Sequence, residues 1–419
     1  MIKRITLTQI LLVFISSVYA QNAWTIFDTN NTPGFPENNV HCIAFDTAGI
    51  KWVGTDYGLA SFNDTVWTVY NSLNTPLTDN SIRSIAVDKF NNKWIGTFLG
   101  GLYKFDGDTT WTNYTALNSD LPDDFVKTIA FDTSGNIWIG TTIGLVQFDG
   151  DTTWKVYDMS NSVLNLSDNI ADIQIDTMNV FRIGTVNGGF LKIIDTAWTL
   201  YTIPNGSGIP DNSQKGVTVD NNGVEWLATP ANGLVAHPGG LTWIVYNPFT
   251  STMPSSSATC LVTLPGPDRI WVGTYDFGIV RKTGLTFDFF DKTNSPMPDS
   301  SIQCIEKDKN GIIWIGTQQG GLVRLDESQF TNIHEISSEP QPVIFPMPVK
   351  NQLTIFYPYS KIREIGLTDV TGKFLKIQLN YPSADFYVTS LGQFPAGIYF
   401  LQIITSDGKL LTEKIIKTN

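Results

Sequence analysis

The chain has 419 residues, 42% hydrophobic and only 16% charged, against roughly 25% charged in an average soluble protein. Its 35 glycines and 12 tryptophans, with many Asn, Asp, Thr and Ser residues, favour short strands and tight turns and exclude an all-helical protein, a coiled coil or a disordered chain. A net charge of −12 argues against nucleic acid or an anionic membrane as a general partner, because both need a basic footprint.

Residues 1–20 read as a signal peptide. Lys3 and Arg4 precede a short apolar run, and Val18-Tyr19-Ala20 places small residues at the −3 and −1 positions of a cleavage site. The mature chain is expected to start at Gln21. No other run approaches 18 apolar residues, so no transmembrane segment is expected in it. The three cysteines, Cys42, Cys260 and Cys304, show no zinc-ligand spacing.

A repeat follows. IWIGT at 137–141 recurs as KWVGT, KWIGT, FRIGT, EWLAT, IWVGT and IWIGT, centred on 52, 94, 182, 226, 271 and 314. A second column holds Trp24, Trp67, Trp111, Trp154, Trp198 and Trp243, then Phe287 and Phe330. All tryptophans fall in these two columns, which are expected to pack between units. Each unit resolves into four strands, A to D; in the second they are Ser81–Asp88, Lys93–Thr97, Gly101–Phe105 and Trp111–Tyr114. The A–B turn opens with Asp46, Asp88, Asp132, Asp176, Asp220 or Asp308, followed three residues on by Gly or Asn, a hairpin signal. The B–C turn carries Gly58, Gly100, Gly144, Gly188, Gly233, Gly278 or Gly320. Four strands per 42–45 residues is the period of a β-propeller, here with seven blades. The intact Trp24 favours closure of the last blade by the N-terminal strand over Phe330–Ile333.

Residues 132–145 (DTSGNIWIGTTIGL) and 308–322 (DKNGIIWIGTQQGGL) resemble the two-component regulator propeller repeat. Two units depart from it, the fourth with Arg182 for Trp and the sixth with PGPDR at 265–269 for the Asp turn. The resemblance implies an extracellular ligand-sensing propeller; no kinase follows, so a kinase-sensor role does not carry over.

The composition changes at a linker, 337–342, which separates the propeller (21–336) from residues 343–419. The last segment carries 8 basic and 5 acidic residues, whereas 21–342 carries 17 and 34, a charge of −17. Strand patterns at 353–356, 362–369, 398–404 and 410–416 suggest a small immunoglobulin-like β-sandwich. Pro346 and Pro348, Asp369-Val-Thr-Gly372-Lys373, Pro395-Ala-Gly397-Ile-Tyr399-Phe400 and the ending Lys414-Ile-Ile-Lys417 resemble the type A C-terminal sorting domain of type IX secretion cargo. That resemblance implies the type IX machinery as a partner and export across the outer membrane, to the cell surface or beyond.

Few residues could carry chemistry. His41, His237 and His334 sit in no catalytic motif. Each Asp turn offers one carboxylate, too few for calcium, and no cofactor is expected. Cys42 and Cys304 lie in neighbouring blades, but equal register on equivalent strands should keep them from facing each other. Positions that vary between blades on the D–A and B–C loop face are free for recognition. They include Asp56-Tyr57, Phe98-Leu99, Tyr275-Asp276-Phe277 and Gln318-Gln319. A column five residues before the turn Asp, namely His41, Arg83, Lys127, Ala171, Lys215, Thr259 and Gln303, should border the channel mouth on that face and make it locally positive. The expected function is non-catalytic recognition of an extracellular glycan or peptide at this mouth. A propeller enzyme such as a polysaccharide lyase, or a structural surface component, are the alternatives.

Overall fold

The computed structural model describes residues 23–265, 269–330, 342–345, 349–357, 361–369, 373–377, 386–406 and 410–418. The signal segment, most of the linker, His334, Pro346, Pro348 and Gly372 lie outside them. Among the described residues the regular structure is all strand, apart from a 3-10 turn at Glu327–Gln329.

Seven four-stranded antiparallel sheets form a propeller. The first blade comprises Val40–Phe45, Lys51–Thr55, Gly58–Phe62 and Trp67–Tyr70. The pattern repeats in blades beginning at Ile82, Val126, Ile170, Gly216 and Ala258. The seventh consists of Ile302–Lys307, Ile313–Thr317 and Leu322–Leu325 and is completed by Trp24–Phe27, with Trp24 opposite Leu325. The N-terminal strand therefore closes the ring. Phe330 instead caps the 3-10 turn and stacks on Phe290. The A strands contact one another in an unbroken cycle, so they surround the axis.

The repeat maps onto a repeated set of bonds. In blade 3, Asp132 Oδ1 accepts the N–H groups of Ser134 (3.0 Å) and Asn136 (2.8 Å), and its Oδ2 accepts the Trp138 indole N–H (3.1 Å). One carboxylate thus shapes the A–B turn and fixes the ring that packs on the next blade, where Phe181 meets Trp138 edge-on at 4.7 Å. The third turn residue takes positive φ, as Gly135 (91°) and Asn91 (67°) do, which Gly and Asn tolerate best. In all seven blades the Thr ending strand B donates its hydroxyl to the glycine carbonyl across the B–C turn. Where two glycines adjoin, Gly101, Gly189 and Gly321 take the positive φ, not Gly100, Gly188 and Gly320. The Trp of strand D stacks on its cross-strand partner, as Trp154 does on Phe148 at 3.7 Å.

The two departures from the repeat have distinct outcomes. Arg182 takes the Trp place and donates to Asp176 (3.0 Å) and to Glu225 of the next blade (3.0 Å). Glu225 is itself buried, with Lys192 at 2.7 Å and His237 at 2.8 Å. His237 replaces the usual phenylalanine and stacks on Trp243 at 4.1 Å, a packing role. In blade 6, which lacks the Asp turn, the buried Trp271 Nε1 has no partner among the described residues.

The C-terminal unit contains two sheets. One is Val343–Phe345, Gln352–Phe356 and Phe386–Ser390; the other is Phe374–Lys376, Ile362–Asp369, Gly397–Thr405 and Leu410–Lys417. Leu353, Ile355 and Tyr387 from the first join Leu367, Leu401 and Ile415 from the second in one core, as in a sandwich. The Tyr387 hydroxyl accepts the Ile362 N–H (3.0 Å), tying the sheets together. Gly397 and Tyr399 open the longest strand, and the Tyr399 hydroxyl donates back to Pro395 O (2.9 Å). Lys414 lies opposite Phe400, and the largely buried Lys417 opposite Gly397.

Candidate functional site

A β-bulge interrupts strand A in six blades, and the extra residue is His41, Arg83, Lys127, Ala171, Thr259 or Gln303. The seventh, Lys215, immediately precedes its strand and donates its N–H to Ala228 O. A bulge re-aims a side chain that regular pleating would bury, and this one does so around the axis at the level of the B–C and D–A loops.

Those loops are held rigidly. Asp79 of a D–A loop accepts the Leu99 N–H of the neighbouring B–C loop (2.6 Å), and Asp299 accepts that of Gln319 (2.8 Å). The first of these bonds anchors the loop of Phe98, one of four exposed aromatics in the B–C loops. Tyr57 is 48% exposed and Tyr275 60%; Phe98 and Phe277 are just under 40%.

The structure joins part of the predicted set. His41 Nε2 lies 2.9 Å from Asp56 Oδ1, and Arg83 donates to His41 (3.1 Å) and to Asp56 (3.3 Å). Ser81 and Asn39 donate to the same Asp56 carboxylate, each at 2.7 Å. Burial, then the Arg83 charge, lower the His41 pKa, leaving a neutral ring at neutral pH. Burial would raise the pKa of Asp56, but hydrogen bonds from Ser81 and His41 outweigh it and hold the carboxyl below its usual value. The Arg83 guanidinium also lies 5.2 Å from the Phe98 ring centre. Phe98 meets Phe125 edge-on at 4.7 Å, and Lys127 Nζ lies 6.0 Å from the Phe125 ring while donating to Asn169 (2.7 Å). Burial and the Lys215 charge pull Lys127 down to about 8.

The positive charge expected at the mouth from Arg83, Lys127 and Lys215 is unevenly compensated. Asp56 neutralises Arg83, so the unopposed charge lies at Lys127 and the exposed Lys215, which has no ion-pair partner among the described residues. Tyr275 and Phe277 stand on blade 6, separated from blade 1 by blade 7, whereas the half-buried Gln303 lies on the strand A that adjoins the strand A of blade 1. Sequence reasoning missed Phe125, Asn169 and the pairing of Asp56 with Arg83. The signal available was the residue just before strand A, polar at Asn39, Ser81, Asn169, Ser257 and Ser301 but aromatic at Phe125.

The cysteines are free and partly buried. Burial raises Cys42 and Cys260 to about 12, leaving inert thiols. Cys304 Sγ faces Val40 O, not Cys42. Among the described residues no three metal-ligating side chains cluster, and no helix is long and apolar enough to cross a membrane.

Residues 120–142 and 296–319 match the two-component regulator propeller, and residues 343–418 match the secretion system C-terminal sorting domain. The chain thus carries regulator-type propeller repeats and a C-terminal secretion sorting domain. It is secreted by the type IX system to the cell surface or extracellular space. No curated protein matches it. The extracellular domain of a B. thetaiotaomicron protein described as a hybrid two-component system aligns at 20% identity and TM-score 0.65, covering 94% of this chain and 57% of that one. PorZ, a surface component of the type IX secretion system of Porphyromonas gingivalis, aligns at 18% and 0.58, covering 94% and 61%. Virginiamycin B lyase from Staphylococcus aureus aligns at 15% and 0.57, covering 72% and 98%. This chain thus spans about three fifths of the first two, and these likenesses establish the fold alone.

Proposed function

We propose that the protein is a non-catalytic recognition module, displayed at the cell surface, that binds an extracellular glycan or peptide at the channel mouth of its loop face. The observation that carries this reading is the run of bulges, which turns one residue in six of the seven blades toward the mouth beside loops bearing exposed aromatics. The His41–Asp56 pair has the outline of an acid–base dyad. Arg83 Nη1, however, lies 3.1 Å from both ring nitrogens and crowds the imidazole where a substrate proton would have to arrive, which favours recognition over lyase chemistry. The mature chain would run from Gln21, with the propeller to residue 336 and the sorting domain from 343.

A glycan and peptide array probed with the full chain tests the reading, with acidic-polysaccharide degradation assayed alongside. Saturable binding that is lost on substitution of Phe98 supports it; product release, or no binding of any glycan or peptide, overturns it. Removing residues 343–419 should leave the propeller in the periplasm, and surface display of that truncated chain would contradict the address.

A further inference from the structure

The geometry points to a subsite for one terminal acidic sugar, a uronate, above Ala171 of blade 4, with its carboxylate between Lys127 and Lys215 and its ring against Phe98 and Phe125. This rests on the recognition reading above and names the ligand class.

Three features lead to it. Lys127 and Lys215 belong to blades 3 and 5, and the blade between them presents only the methyl group of Ala171 at the matching position. Two cations therefore bracket a gap. Neither is ion-paired among the described residues: Lys127 donates only to the neutral Asn169 amide, leaving ammonium protons for a ligand. Adjacent to Lys127, Phe125 and Phe98 form an apolar ledge, with Phe98 partly exposed, suited to the C–H face of a pyranose. Burial lowers Lys127 first and the Lys215 charge second, and a bound anion would relieve the repulsion between the two lysines.

The wider field limits the ligand. The segment 21–342 carries −17, which repels a long polyanion, whereas a single carboxylate held within hydrogen-bond reach of two lysines is favoured locally. A chain end with one acidic sugar fits better than a sulfated or uronate polymer.

Calorimetric titration of the full chain with a glucuronate-terminated tetrasaccharide and its glucose-terminated counterpart, at low and moderate salt, tests this. The acidic sugar should bind about tenfold tighter at low salt, the size of one charge-assisted contact, and the gap should narrow as salt rises. Lys127→Met with Lys215→Met should remove the gap. Ala171→Glu, which supplies a tethered carboxylate, should remove it too while raising the melting temperature at low salt, so a folding defect would be told apart. Equal binding of both sugars, by parent and variants alike, overturns the subsite but leaves the recognition reading intact. Tighter binding of a peptide through its C-terminal carboxylate than of either sugar overturns the sugar assignment, and no binding of any probe removes both.

Discussion

Trp138 donates its indole N–H to Asp132 Oδ2 at 3.1 Å, and the same bond links Trp52 to Asp46, Trp94 to Asp88, Trp226 to Asp220 and Trp314 to Asp308. Each pair is six residues apart, so a local bond couples the turn at one end of a blade to the ring that packs against its neighbour. That coupling gives the turn Asp and the strand-B Trp, each kept in six of the seven units, a single physical reason.

Trp138 and Trp271 separate packing from hydrogen bonding. Trp138→Ala should cost about 3–5 kcal/mol, as for large-to-small core changes. Trp138→Phe should cost about 1–3 kcal/mol, partly because it removes one of the two side-chain hydrogen bonds to the buried Asp132 Oδ2, leaving only that from Asn136. Trp271→Phe should cost less, since it removes a buried N–H that has no partner among the described residues. Urea unfolding of the three variants checks the order, and a larger loss at Trp271 than at Trp138 would contradict it.

Arg182→Trp restores the repeat yet should destabilise the protein by about 2–4 kcal/mol. It withdraws one of the two cations, Arg182 and Lys192, that compensate Glu225, a carboxylate 1% exposed, and weakening the compensation of a buried charge is costly. Adding Glu225→Ile, the residue of blades 3, 6 and 7 at this position, should recover part of the loss. A stabilised single variant would mean that the ion network is dispensable.

Glu306 of blade 7 keeps solvent access along strand A, yet surrounding protein and then the charge of Asp172 push its pKa up to about 7. Between the usual carboxylate range and pH 7 the folded chain holds a proton that the unfolded chain releases. This group therefore makes stability fall as pH rises through that window and level off above it. Glu306→Gln should stabilise by roughly 1–2 kcal/mol at pH 8, after allowance for solvent screening, and by little near pH 4. Denaturation midpoints of parent and variant at the two pH values decide; an equal shift at both would show no linkage.

The N-terminal strand should act as a latch. Trp24 is 6% exposed and packs with Phe290 and Phe330, and without Trp24–Phe27 the Leu322–Leu325 edge of blade 7 is unpaired. Deleting residues 23–30 should lower the melting temperature and raise hydrogen exchange first in blade 7. Uniform exchange around the ring would argue against a latch.

The sequence by itself determined the blade count, strand limits within about a residue, both departures from the repeat and the sorting domain. These features are encoded locally: a turn carboxylate, a glycine or asparagine at positive φ, and side chains alternating across a pleat act within one period of about 44 residues. In the C-terminal unit the strands Val343–Phe345, Phe374–Lys376 and Phe386–Ser390 escaped notice, because strands this short carry weak alternation. The mouth was only half legible. Its column could be aligned, but that Asp56 cancels Arg83, that Phe125 backs Phe98, and that Ala171 leaves a gap between two lysines depend on residues about 15 to 90 positions apart. Only ring closure and the bulges bring those side chains together, and no local pattern records the distance between blades.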